Sequence, residues 1–188
     1  KHIRTVSLEH FSELIERDTD GKPDLRMTYL AFWRFGPEPA LVAPEIGDLW
    51  RVLPADTRVP DHSIWTHLDT VSALTGALAD DQPALLSMSF GPVQGFIAQA
   101  RSTSDLWAGS HLLSSLVWEG LKVICAALGP DAIAFPNLRG VAAVDRWLLE
   151  VAEATGHGTQ WRQRFATIDA DWLHRATDAN PLFAATLP

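Results

Sequence analysis

Leu85-Leu-Ser-Met-Ser-Phe-Gly-Pro-Val-Gln-Gly-Phe-Ile-Ala-Gln-Ala-Arg-Ser-Thr-Ser-Asp-Leu-Trp-Ala-Gly-Ser-His-Leu-Leu-Ser114 carries the pattern that sets the expected fold class. Residues 85–90 are short, apolar-rich and followed by Gly91-Pro92, which predicts a buried strand feeding a turn. Val93, Phe96, Ile97 and Ala100 then fall at helical spacing, as do Leu113, Leu116, Val117, Leu121, Ile124 and Leu128. Residues 102–109 either kink or separate these two helical patterns. Residues 132–138, bounded by Gly129-Pro130 and Arg139-Gly140, predict a second strand. Strand, helical crossover, strand is a parallel βαβ-type unit of right-handed sense, so the expectation is α/β (α+β).

Outward from that unit the chain is helical. Leu8, Phe11, Leu14 and Ile15 mark a short amphipathic helix, residues 25–35 are apolar and aromatic, and Ile64, Leu68, Val71, Leu74 and Leu78 mark one helix face. Asp61 or Ser63 is placed to cap that last helix. Val144, Leu148, Val151 and Ala152 predict another, and residues 161–176 one more. The expected boundary is near residue 80, with a helical segment at 1–80 and an α/β segment at 81–188. Lys1 in place of a methionine, and an apolar strand-like run at 182–188, predict a piece of a longer polypeptide.

The chain has 188 residues, 47% of them hydrophobic and 20% charged, with a formal net charge of −8. That composition excludes extensive disorder and disfavours autonomous nucleic-acid binding, which needs a basic face. The longest uninterrupted apolar runs are a few residues, so no membrane span is expected. No secretory signal layout is present. One cysteine, Cys125, excludes an intrachain disulfide or a Cys-based zinc site, and its apolar helical setting predicts an inert buried thiol. A soluble, cytoplasmic protein is expected.

Two places invite a chemical reading. A strand that ends in Gly91 at a helix start presents free N–H groups and a positive helix end to an anion, which suits a phosphate. Gln94 is then placed for a base or ribose, and Ser110 for a phosphate. The plainer alternative is a tight strand-to-helix turn with Pro92 at the first helical position. Asp56, Asp61, His62 and His67 form the second constellation, with Asp56 and His62 the candidate metal ligands, because imidazole and carboxylate hold divalent ions that activate water. His62 and His67 are five apart, about 140° around a regular helix, so they converge only if His62 precedes it. Here the alternative is a capped helix start with His67 at the surface or in a satisfied hydrogen bond. Arg101 suits either a phosphate contact or an i,i+4 pair with Asp105, Arg139 a solvated loop or a contact with RNA or ATP, and the eight tryptophans core or subunit contacts rather than base stacking.

The run at 85–114, together with residues 53–68, Phe135-Pro-Asn-Leu-Arg-Gly140 and Val144-Asp-Arg-Trp147, resembles the large polymerase/cyclase-like subunit of type III-B CRISPR effector complexes. The resemblance covers residues 49–150 best. It implies the end of an HD-like helical domain followed by the opening of a ferredoxin-like palm domain. It also implies other CRISPR effector subunits as partners, with crRNA and target RNA reached through the complex. In such a protein ATP and a divalent metal, Mg or Mn, serve synthesis of cyclic oligoadenylates when target RNA binds. This chain has neither the Gly-Gly-Asp-Asp sequence of the cyclase centre nor a His-Asp dipeptide of the nuclease centre. An HD-type metal-dependent phosphohydrolase and a non-catalytic subunit-docking module are the alternatives.

Overall fold

A computed structural model of the chain describes residues 2–42, 47–79 and 83–172. Seven α-helices follow in order among them: α1 His2–Glu13, α2 Leu25–Phe35, α3 Ile64–Leu78, α4 Val93–Ile97, α5 Thr103–Leu128, α6 Ala142–Ala154 and α7 Gly158–Ile168. Short 3-10 turns lie at Pro39–Leu41, Gly47–Trp50 and Pro130–Ala132. The strand-like run expected at 182–188, and the last part of the helix expected at 161–176, lie outside the described residues.

The α/β expectation is overturned. Among the described residues no β-strand forms, and the pairings seen are isolated bridges, Arg17 with Pro23 and Pro54 with Ser63. No palm-like ferredoxin fold and no βαβ crossover is present among them. Residues 83–90 are irregular and exposed, with Leu85 at 93% and Leu86 at 70% exposure. An apolar run states that a segment gains by burial, not which neighbour supplies the ladder, and an isolated strand leaves its backbone groups unpaired. At 132–138 a 3-10 turn and Pro136 replace the expected strand, and Leu138 enters a helical core instead.

That core is built from α1, α2, α5, α6 and α7. Leu14, Met27, Leu30, Phe35, Trp118, Leu121, Val144, Leu148, Trp161 and Phe165 are all buried in it. Asp24 starts α2 by accepting from the Met27 N–H at 2.9 Å. In α6 the buried positions Val144, Leu148 and Ala152 follow the helical repeat, as the sequence predicts. Gly129 ends α5 with a positive φ of 100°, and a Cβ there would lie 2.7 Å from Asp131 Oδ1 and run into the Tyr29 hydroxyl. A smaller cluster of Val6, Val42, Trp50 and Trp65 joins the main core through Phe11, which packs against both. Seven of the eight tryptophans are buried and only Trp107 is exposed, so they serve packing.

α5 departs from the surrounding pattern. Trp118, Leu121 and Cys125 form its buried stripe, while Leu106, Trp107, Leu112, Leu116, Val123 and Leu128 are exposed. By length and composition it is long and apolar enough to cross a membrane, which corrects the expectation that no such span exists. Uninterrupted runs understate it, because small Ala, Gly and Ser residues separate its leucines without adding charge. Burial pushes the Cys125 thiol up to about 11, in keeping with an unreactive core cysteine.

His10 ties α1 to the end of α2. Its Nε2 lies 3.1 Å from the Gly36 carbonyl, which also accepts from Trp50 Nε1 at 2.7 Å. Burial holds the imidazole below its ordinary 6.5, against the pull of the Gly36, Leu41 and Phe35 backbone and the Glu13 carboxylate. The unfolded chain therefore takes this proton more readily than the folded one. His10's contribution is complete above pH 6.5 and declines as pH falls through that value toward the folded-state pKa. Urea unfolding across about pH 5–8 should show this decline, and His10→Gln should flatten it. An unchanged pH slope in the variant would remove His10 from the account.

Candidate functional site

The first candidate region is the connection from residue 83 into α5. α4 is only five residues long, and Pro92 precedes it without a side-chain cap. A Cβ placed on Gly91 would meet nothing within 4 Å, Gln94 is exposed and Ser110 is half-buried on α5. What holds this region is aromatic packing on two α5 glycines. A Cβ on Gly109 would sit 3.2 Å from Phe96 Cε1, and one on Gly120 would sit 3.5 Å from Phe90 Cζ. Eleven residues is close to three turns, so the two glycines lie on one face of α5, about 16 Å apart. The signal was present in the sequence as two glycines three turns apart in an apolar helix.

A shallow cleft of about 350 Å³ opens beside this packing, lined by Phe96, Ile97, Gln99, Arg101, Asp105 and Leu106 among others. Gly91, Gln94 and Ser110 are not part of that lining. Asp105 belongs to the start of α5: its N–H donates to Ser102 Oγ at 3.1 Å, and its carboxylate accepts from the Arg101 N–H at 3.1 Å. That is a capping arrangement. The contact between Arg101 and Asp105 thus runs from the backbone N–H and not from the guanidinium expected of a side-chain pair.

The second candidate region precedes and opens α3. Backbone bonds from Ala55 N to His62 O and from Ile64 N to Leu53 O pin residues 53–55 beside 62–64. Ser63 caps the helix by accepting from the Thr66 N–H at 3.2 Å. His62 therefore does precede the helix, and its ring centroid lies 5.7 Å from that of His67. Asp61 Oδ1 stands 2.6 Å from His62 Nδ1, and this contact holds the Asp61 carboxyl below its usual range. Asp56 is engaged by Arg58 through its backbone N–H at 2.8 Å and its guanidinium at 2.7 Å, which holds its carboxyl low as well. Among the described residues no three His, Cys, Asp or Glu side chains converge on a common metal position.

Arg139 is neither solvated nor aimed at a ligand. Its guanidinium donates to both Asp69 oxygens at 2.6 and 2.7 Å and to the Trp33 carbonyl at 2.8 Å, and lies over the Trp33 ring. It fastens α3 to the loop before α6. Partners 70 residues apart leave no local signal of this pairing.

Residues 85–188 match the family described as CRISPR-associated protein Cmr2, N-terminal. A protein of Pyrococcus furiosus named CRISPR system Cmr subunit Cmr2 is 54% identical over 87 residues, covering 46% of this chain and 10% of that protein. A protein of Saccharolobus solfataricus named CRISPR system CMR subunit Cmr2 is 36% identical over 90 residues, covering 46% of this chain and 9% of its own length. The chain thus spans about a tenth of the length of these curated relatives. No solved structure matches.

Proposed function

The chain belongs to the Cmr2 N-terminal family, and from that premise we propose that it forms part of the large subunit of a type III-B CRISPR effector complex. Its role there is to dock: it presents apolar surface to the rest of the subunit and to neighbouring effector subunits, with crRNA and target RNA reached through the assembly in the cytoplasm. One observation carries this reading. The matched segment begins at residue 85, where Leu85, Leu86, Met88 and Phe90 are all exposed. Contiguous exposed apolar side chains of this size mark interaction surfaces.

In the proposed whole protein, ATP is the substrate for cyclic oligoadenylate synthesis, with Mg or Mn neutralising charge at the reacting phosphates. Gly91, Gln94 and Ser110 are proposed to form part of the nucleotide cleft. These 188 residues contain no Gly-Gly-Asp-Asp sequence. A phosphohydrolase centred on Asp56 and His62 gains no support, since Arg58 already occupies the Asp56 carboxylate.

The test is reconstitution of the effector complex around the whole subunit carrying a paired Leu85→Asp and Leu86→Asp change, at the two most exposed of these side chains. Loss of the subunit from the assembled complex, with helix content preserved, is the expected result. Full assembly together with undiminished oligoadenylate synthesis would overturn the docking role.

A further inference from the structure

Among the described residues one indole N–H is closed off from water and left without an acceptor, that of Trp172, whose side chain is 8% exposed. Trp50, Trp65 and Trp161 show the ordinary arrangement. They donate to the Gly36 carbonyl, the Trp50 carbonyl and Glu16 Oε1 at 2.7, 2.8 and 2.9 Å. A buried donor left unpaired loses its hydration with no bond in exchange, so the seat of Trp172 carries a penalty that those three seats do not.

The ring is what holds Trp172 in place. It stacks on Phe165 of α7 with centroids 4.1 Å apart and planes inclined by 6°. Phe165 also lies beside the Arg34 guanidinium, 5.4 Å from its ring centroid, and Arg34 takes both Asp145 oxygens at 2.6 and 2.9 Å. Burial pushes the Asp145 carboxyl up, Arg34 opposes that shift, and the nearby indole acts in the same sense as Arg34. The indole N–H nonetheless makes no hydrogen bond there. The hydrogen bonds of the turn that carries Trp172 are local. Its N–H donates to the Asp169 carbonyl at 2.9 Å, the Asp171 N–H donates to Asp169 Oδ1 at 3.0 Å, and Asp169 itself is extended with φ −156° and ψ 107°. This turn can move as a unit about Asp169 without breaking any of them.

We propose that Trp172 is a latch, a local two-state element whose ring leaves and regains its seat on Phe165 while the helical core stays folded, admitting water to the Arg34–Asp145 pair when open. Closed is the resting state, because burial of the indole adds to the stacking. The unpaired N–H works the other way, since opening restores its hydration. Opposed terms at one side chain, with only local bonds around it, are the conditions for opening below the cost of global unfolding. The latch stands independently of the proposed subunit role.

Hydrogen–deuterium exchange of the indole N–H groups, followed by NMR on the 188-residue chain, tests this. Trp161 is fully buried and hydrogen-bonded to Glu16, so its indole reports opening of the whole core. The Trp172 indole should exchange at least tenfold faster than that of Trp161 under the same conditions, while a ring-to-ring nuclear Overhauser effect with Phe165 shows the closed state at rest. Exchange less than tenfold faster, or absence of that ring contact, overturns the latch. A pair of variants then tests the unpaired donor. Trp172→Phe and Trp161→Phe both keep a ring and delete an N–H, but only the second deletes a hydrogen bond. Trp172→Phe should therefore lower the denaturant midpoint less than Trp161→Phe does, and an equal or larger drop overturns the proposal. Should either variant fail to fold, the exchange ratio in the unaltered chain decides.

Discussion

Replacement of Arg34 by methionine is expected to destabilise the fold by about 3–5 kcal/mol, the range for breaking a buried ion pair from one side. The Arg34 side chain is 4% exposed and grips Asp145 through two bonds of 2.6 and 2.9 Å, with Glu38 on its other nitrogen at 2.5 Å. Asp145 is 2% exposed, so loss of the guanidinium strands a carboxylate that water cannot reach. Glu38 keeps Arg51, whose side chain is half in solvent. Arg34→Lys should recover only part of the loss, since a point charge cannot reproduce a fork that serves both Asp145 oxygens and Glu38. Arg34→Met combined with Asp145→Leu should recover most of it, because removing both charges ends the desolvation penalty. Denaturant unfolding at constant m-value reads all three variants. A single-variant loss below about 1 kcal/mol would show that water reaches Asp145 after all.

Arg34 also shows what the sequence discloses and what it hides. An arginine among Leu30, Ala31, Phe32, Trp33 and Phe35 lies on no polar face, so a buried partner could have been anticipated from residues 25–35 alone. The identity of that partner could not, because Asp145 is 111 residues away and sits on α6 among apolar positions. Helix periodicity was legible for the same reason that distant pairing was not: the 3.6-residue repeat is local. It located α3 and α6 well, and Ser63 as one of two candidate caps, but it began α5 near Leu113 when Ser102 already caps it.

The strands at 85–90 and 132–138 failed on a related point. Apolar content and flanking Gly-Pro describe a segment's wish for burial, whereas a strand is a statement about two segments. Among the described residues none supplies the second. The same limit applied at the metal candidates. Arg58, two residues on from Asp56, takes that carboxylate through a local turn, a contact that the sequence reading of Asp56 and His62 does not include.

Trp161→Ala is the second large loss to expect, again about 3–5 kcal/mol, from the cavity and the lost transfer energy of a fully buried indole. Trp161 meets the Phe35 ring edge-on at 4.9 Å and the Phe165 ring at 6.2 Å, so α7 loses its central contact with α2. Its Nε1 also donates to Glu16 Oε1 at 2.9 Å, and Glu16 is 1% exposed. Packing and hydrogen bonding can be separated by Trp161→Phe, which keeps a ring in the site and deletes the donor. Arg164 still reaches Glu16, so the carboxylate is not stranded, and the phenylalanine variant should lose only about 1–3 kcal/mol. The order of the two losses is the informative quantity. If alanine and phenylalanine cost the same, the hydrogen bond to Glu16 dominates and the aromatic cluster of Phe35, Trp161 and Phe165 holds α7 far less than its burial implies. If alanine costs at least 1.5 kcal/mol more, roughly two buried methylenes' worth, packing is what seats α7 against α2.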